Sequence, residues 1–434
     1  MKHLSSRPRV WLSVETAQIL GLESQRGGFW PGLRSLKCNV DWEIVPFISS
    51  FLTPTIANLD LTLPHESNRL LQPTLSLLTH ICRQLQSLRL DIDAFGSLSG
   101  GEMGRLISAS RNTLHRIDIR SFTPSDIFPV IFNLPRLRTL VLQEPRLPDQ
   151  IPSEILPPLE AIDFNGSYGS NLAQFLRSLS TQRLAELSVH CGETVQLPTL
   201  LDSLRGATAT MNRIYLSPVT DLDHSSITIL CTFTNLTSLM IRCVCENRKS
   251  WPCSFQPTDE DLSKLGESLP HICTLVLSPG CSTPRRITFT SLARLSRVCS
   301  NLEILSTRVD FASIIDGSGQ PNHDNVSLGG NNARLQREGS RLRTLTVGNS
   351  PLPDTPHCEW MVALALASIF PSIKFLFSYC ADEMHRSWNK VQEDITACQR
   401  ILHLARAEGK RLDTSLMFSD SDIDGFSLDT TQVP

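Results

Sequence analysis

The stretch Leu137-Arg-Thr-Leu140-Val-Leu142, which follows Asn133-Leu-Pro-Arg136, decides the architecture. Its apolar residues stand at the first, fourth and sixth places. The last two alternate as in a short strand, where every second side chain faces the core. The pattern recurs along almost the whole chain. Counted from the first apolar residue, units begin at Leu33, Ile56, Leu85, Leu114, Leu137, Leu159, Leu184, Met211, Leu236, Ile272, Leu302, Leu342 and Ile373. Most starts lie 22 to 31 residues apart, with 36 between Leu236 and Ile272 and 40 between Leu302 and Leu342.

One such match means little, because leucine is common. Thirteen at this spacing identify leucine-rich repeats. A single unit cannot bury its apolar face, but stacked units pair their strands and share one core. The expected fold class is therefore α/β: a leucine-rich-repeat solenoid, or horseshoe. Its parallel strands line the concave face and irregular helices line the convex face. In each unit the side chains three and five places after the first apolar residue point inward, and those two and four places after it point outward. Helical returns are expected over 68–84, 171–180, 197–205, 289–299 and 359–370, with Pro73 breaking or starting the first. Thr258-Asp-Glu-Asp261 reads as a capping box for a helix over 259–269. Pro135, Pro158, Pro270 and Pro371 stand just ahead of strands, where proline ends a helix and extends the chain. No unit carries the asparagine that closes a full L-x-x-L-x-L-x-x-N signature, so uneven curvature and loose turns are expected.

Four regions follow from this pattern. Residues 1–28 form an N-terminal segment or cap, with a short helix over Thr16 to Leu22. Residues 29–380 hold the array of about thirteen units, interrupted by a Gly-, Asn- and Ser-rich mobile loop at 316–340. Residues 381–411 form a capping helix whose Trp388, Val391, Ile395, Cys398, Ile401 and Leu402 share one face. Residues 412–434 carry five Asp and no Lys or Arg, and read as a disordered acidic tail.

Composition narrows the function classes. The chain has 434 residues, 41% of them hydrophobic, and a net charge of −3. That balance offers nothing for nucleic acid or an anionic membrane surface. No run of about 18 apolar residues exists to span a bilayer. Thirteen scattered cysteines without a secretory signal suggest reduced thiols, hence a cytoplasmic or nuclear location. Leu98-Ser-Gly-Gly-Glu102 matches an ATP-binding-cassette signature peptide. No phosphate-binding loop accompanies it, so it reads as a turn followed by a helix. Cys243-Val-Cys245, Cys253, His271, Cys273 and Cys281 are dense in potential zinc ligands but lack paired C-x-x-C spacing. Cys191, Cys243, Cys380, Cys82 and Cys299 instead fall at repeated places in their units, where small buried thiols fit. No catalytic residue, metal or cofactor is expected. A metal- or thiol-dependent enzyme around Cys243–Cys281, and a scaffold or decayed copy without ligand, are the alternatives.

The outward positions carry the functional information, because they line up from strand to strand. Arg and Tyr are enriched at binding hot spots. The candidates for contact with a protein partner are Arg89, Arg116, Asp118, Arg120, Asp163, Glu186, Arg213, Tyr215 and Arg242. The competing expectation is a solvated face in which Arg116, Asp118 and Arg120 pair among themselves.

Four segments carry a family resemblance. They are Cys82-Arg-Gln-Leu-Gln-Ser-Leu-Arg-Leu90, Leu134-Pro-Arg-Leu-Arg-Thr-Leu-Val-Leu142, Cys299-Ser-Asn-Leu-Glu-Ile-Leu305 and Trp30-Pro-Gly-Leu-Arg-Ser-Leu36. They resemble the repeats of F-box/leucine-rich-repeat proteins, in particular the divergent sets of fungi, across 29–380. The resemblance implies a non-enzymatic, substrate-recruiting subunit of a cullin-type ubiquitin ligase, with the repeats holding the substrate. In that family an N-terminal F-box docks a Skp-type adaptor. Residues 1–28 hold no F-box helices, so this adaptor is expected only if the encoded chain has lost its 5′ end.

Overall fold

The structure is a computed structural model. It describes residues 19, 32–39, 45–63, 68–92, 100–120, 125–148, 157–166, 171–179, 183–219, 221–243, 254–255, 257–280, 287–314, 340–353, 357–379 and 382–407. The predicted cap helix over 16–22 (Ile19 apart), the loop at 316–340 (Ser340 apart) and the acidic tail at 412–434 lie outside these residues.

Each unit places one strand in a single thirteen-stranded sheet. The strands are β1 (Ser35–Asn39), β2 (Asn58–Leu63), β3 (Ser87–Ile92), β4 (Arg116–Arg120), β5 (Thr139–Gln143), β6 (Ala161–Gly166) and β7 (Glu186–Val195). The sheet continues with β8 (Arg213–Val219), β9 (Ser238–Cys243), β10 (Thr274–Leu277), β11 (Ile304–Thr307), β12 (Thr344–Gly348) and β13 (Phe375–Ser378). Their spatial order is their sequence order, and every pairing is parallel. The fold is an α/β leucine-rich-repeat solenoid.

One hydrogen-bond device sets the register. The carbonyl just before each strand accepts two consecutive N–H groups from the next unit. Gln86 O, for example, accepts from His115 N at 2.8 Å and Arg116 N at 3.1 Å. The same forked contact links every adjacent pair from Arg34 O to the N–H groups of Lys374 and Phe375, at 2.7–3.1 Å. A slip of one residue would turn every side chain of a strand to the other face, so this repeated contact protects the core. Leu140 of β5, for instance, pairs in register with Ile117 and Ile162, and all three are buried.

The convex returns are α1 (Asn68–Ile81), α2 (Gly100–Ala109), α3 (Phe128–Phe132), α4 (Asn171–Leu179), α5 (Leu197–Asp202) and α6 (His224–Leu230). Four more follow: α7 (Asp259–Ser268), α8 (Phe289–Val298), α9 (Cys358–Ile369) and α10 (Asp382–Ala407). Pro73 neither breaks nor starts α1 but sits inside it. Its ring points to solvent, while Leu75 and Leu78 on the following turn are buried and hold the helix against the array. The Gly-rich Leu98–Glu102 peptide leads into α2, whose helix takes in Gly100 and Gly101.

Position explains the thiols. Cys82, Leu134, Phe233, Leu269, Cys299 and Phe370 each lie three residues before the start of a unit, and all are buried. Cys82 and Cys299 fill with sulfur a place that other units fill with Leu or Phe.

The capping box at Thr258 is present: Thr258 Oγ1 accepts from Asp261 N at 3.2 Å, and the Asp261 carboxylate accepts from Thr258 N at 3.0 Å. Asp259 extends the device to the next unit. Its carboxylate accepts from Thr288 N at 2.7 Å and from Thr288 Oγ1 at 2.8 Å, at the start of α8. Two short parallel strands, Asp221–Leu222 and Ser254–Phe255, pair just ahead of α6 and α7. The period of the main repeat gave no sign of them.

The expected loose turns are partly closed by serine. Ser350 occupies the place where the full signature has asparagine, and it is fully buried. Its hydroxyl accepts from Val309 N at 2.7 Å, and its carbonyl accepts from the Trp388 indole at 3.0 Å. The last unit is closed by α10, which lays Trp388, Val391, Ile395 and Cys398 into the core. Two glutamines of α10 satisfy the free edge of β13. Gln392 accepts from Leu376 N at 2.5 Å and donates to Lys374 O at 3.3 Å. Gln399 donates to Ile373 O at 3.0 Å.

A candidate recognition surface on the strand face

The side chains four places into each unit form one column across the sheet: Lys37, Asp60, Arg89, Asp118, Val141, Asp163, Ser188, Tyr215, Met240, Val276, Ser306, Thr346 and Phe377. Its chemistry changes along the array. The first four are charged and alternate in sign, the middle is mixed, and toward the end Val276, Ser306 and Thr346 are buried before the exposed Phe377.

The charged end is held together by ion pairs in which two carboxylates serve four cations. Lys37 Nζ lies 2.8 Å from the Asp60 carboxylate, and Arg89 Nε lies 3.6 Å from Asp60 and 3.8 Å from Asp118. Asp118 also meets Arg116 Nη2 at 3.4 Å and Arg120 Nε at 3.1 Å. Its side chain is only 1% exposed, beneath these guanidiniums. Asp118 therefore does not face a partner. It is the buried counter-charge that holds three arginines in place, and those arginines form the surface. A carboxylate so deeply desolvated is tolerable only because several cations surround it.

The middle of the face is a concavity of about 640 Å³ that runs from Arg116 on β4 to Thr274 on β10. Seven strands at roughly 4.8 Å spacing make it about 29 Å long, the scale of an extended protein segment rather than a metabolite. Asp163, Glu186, Arg213 and Tyr215 line it together with Ser188 and Met240. Arg213 Nη1 pairs with Glu186 across neighbouring strands at 3.4 Å. The Tyr215 ring stacks on His190 with centroids 4.4 Å apart and planes 27° from parallel. Burial holds the His190 pKa below its ordinary value; the Arg242 charge acts in the same direction and the Asp163 charge opposes it. Neutral imidazole is thus the form that supports the Tyr215 ring near neutral pH.

The structure gathers Arg116, Asp163, Glu186, Arg213 and Tyr215 in the concavity. It places Arg89, Asp118 and Arg120 in the charge cluster beside it, and Arg242 at the exposed end of β9. Sequence reasoning passed over Phe375 and Phe377. They occupy the outward places of the last unit and are 55% and 50% exposed, and their rings stack at 6.3 Å. Tyr379, 59% exposed, follows them, and Ile304 is exposed two strands earlier. The offset that named Arg213 and Tyr215 would have named the two phenylalanines, had it been carried to Ile373.

Among the described residues, no three His, Cys, Asp or Glu side chains are gathered as metal ligands. Cys245, Cys253 and Cys281 lie outside those residues. Burial pushes the Cys82 and Cys299 thiols up to about 11 and Cys398 to about 12, the opposite of what a nucleophilic thiol needs. No described helix is long and apolar enough to cross a membrane.

No protein-family model matches the chain. No curated protein matches it either. Among solved structures, a chain of the yeast Rad7–Elc1 complex is similar over 83% of this chain and 81% of its own, at 13% identity and a TM-score of 0.42. A chain of the octameric complex of latrophilin 3, Unc5D and the leucine-rich-repeat protein FLRT2 is similar over 86% and 92%, at 14% identity and a TM-score of 0.34. The leucine-rich-repeat-containing protein LegL7 of Legionella pneumophila is similar over 90% and 96%, at 11% identity and a TM-score of 0.27. The assignment of the fold rests on the strand pairing above and not on these likenesses.

Proposed function

We propose that this chain is a non-enzymatic recognition module that binds another protein along the strand face, from Arg116 to the aromatic end at Phe377. The observation that carries the proposal is the long concavity across β4–β10; exposed aromatic side chains stand apart from it on β13, at the end of the same sheet. Exposed aromatic clusters beside satisfied polar groups are the usual anatomy of a protein interface. The setting we infer is substrate recruitment for a cullin-type ubiquitin ligase in the cytoplasm or nucleus. It is supported by the repeat segments quoted above and by the thiol usage.

A photo-crosslinking amino acid placed at Ser238, on the strand face, and at Ser296, on the convex α8, tests the surface. Specific protein adducts in host cells are expected from position 238 and not from 296. Equal adducts from both positions, or none from 238, would overturn the proposal. Recovery of a Skp-type adaptor or cullin with the full chain tests the ligase setting separately.

A further inference from the structure

We infer that the centre of the concavity is a pocket for an arginine side chain of the partner, held between Asp163 and Tyr215. This rests on the strand-face reading above and gives it a chemical preference.

Charge accounting comes first. The two arginines that line the concavity already have acidic partners: Arg116 shares Asp118 with Arg89 and Arg120, and Arg213 pairs with Glu186. Among the described residues Asp163 makes no ion pair and no hydrogen bond; its charge acts on His190, whose pKa burial lowers and the Arg242 charge lowers further. Arg242 lies at the exposed end of β9 and does not line the concavity. Asp163 is therefore the lining carboxylate without a paired cation, and the group that complements it is a cation.

The register supplies the shape. Asp163, Ser188 and Tyr215 are direct neighbours in one column, on β6, β7 and β8. Two strand spacings put Asp163 and Tyr215 about 10 Å apart at the backbone. The small Ser188 leaves the floor between them open. A planar guanidinium has the dimensions for that gap, with one face on the phenol ring and its edge toward the carboxylate. The His190 stack holds the Tyr215 ring, so the platform exists before the ligand arrives. A lysine ammonium could reach Asp163 but would lack the flat face, which favours arginine.

The full-length chain with ¹³C-methyl methionine provides the test, since Met240 lines the same concavity. N-acetyl-arginine amide is expected to shift the Met240 signal saturably. N-acetyl-citrulline amide, the same shape without the charge, should bind about tenfold more weakly or not at all. Asp163→Asn should abolish the difference between the two probes. Tyr215→Leu should weaken the arginine probe by about tenfold. In both variants the other methionine signals should stay in place, which reports intact folding. Equal responses to the two probes, or a wild-type response in Asp163→Asn, would overturn the inference. Strand-face cross-links without any arginine response would overturn this pocket alone and leave the recognition surface standing. Loss of both would remove the two together.

Discussion

The Nε of Arg120 donates to the carboxylate of Asp118 at 3.1 Å, and the carboxylate lies beneath its own strand-mate in a nearly water-free site. Both residues point to the same face of β4, so the acid is covered from its own strand as well as from β3 through Arg89. Replacing Asp118 by Asn keeps the volume but leaves Arg89, Arg116 and Arg120 without their shared counter-charge. The expected loss is about 1–3 kcal/mol, because the buried position keeps a polar group with fewer charge-assisted bonds while solvent screens the half-exposed arginines. Urea unfolding checks it, and a loss below about 1 kcal/mol would show that the cluster is merely solvated surface.

The edge of β13 makes a second prediction. Gln392 and Gln399 occupy backbone groups that would otherwise stand free at the end of the sheet. A Gln392→Ala, Gln399→Ala double variant should expose a strand edge next to Phe375 and Phe377. Such edges template pairing with a second chain. Light scattering after size exclusion should show concentration-dependent association beyond that of wild type; an unchanged mass across the concentration range would refute the edge-guard role. A stability loss of about 1–3 kcal/mol should accompany it.

Two adjacent backbone positions predict opposite signs. Gly166 has φ of 151°, and a Cβ there would stand 2.6 Å from the Glu144 Cα. Gly166→Ala should cost roughly 2 kcal/mol or more, through both the clash and the conformation. Glu144 itself sits at φ of 46°, where a side chain is disfavoured. Glu144→Gly relieves about 1–2 kcal/mol of that strain against about 0.5–1 kcal/mol of unfolded-chain entropy, so it should be neutral to mildly stabilising. Thermal unfolding of the two variants should shift in different directions. A shared direction would contradict the close packing of the β5 and β6 ends.

His190 predicts a pH dependence. Its folded pKa is lowered, first by burial, so protonation favours the unfolded chain. The contribution is complete above the unfolded value of 6.5 and is lost as pH falls from there toward the folded pKa. His190→Gln removes the titration, so its stability should fall less than that of wild type between about pH 7 and 5. The groups facing the ring are Tyr215, Asp163 and Arg242, and an NMR titration of the His190 ring should report a midpoint below 6.5. A midpoint above 6.5 would mean that Asp163 outweighs burial.

Much of this architecture could be read along the chain. The alternation at Leu137, Leu140 and Leu142, repeated in its relatives, specifies which side chains enter the core, and period alone carries that information. Helix ends were legible where a local rule operates, as at Thr258 and Asp261. Pro73 misled because its penalty is local, whereas the buried Leu75 and Leu78 belong to the packed array. The candidate face was legible as a set of positions, but the state of each charge was not. Asp118 and Asp163 stand at the same offset two units apart; the arginines flanking Asp118 hinted at its pairing, but its burial could not be read from the chain.

The sequence by itself determined the number, order and facing of the strands, because alternation and repeat spacing act through the chain's own periodicity. Only the tertiary structure decided which charges are already matched. Arg116 and Arg120 meet Asp118 within one strand, but Arg89 reaches it from β3, and the burial of the carboxylate depends on how these side chains fold over it. Asp118 lies under three arginines, while Asp163 opens into the concavity beside Ser188 and Tyr215. That difference arises from the arginines that flank Asp118 on β4 and from Arg89 on β3; it makes one carboxylate an internal anchor and leaves the other open to the concavity.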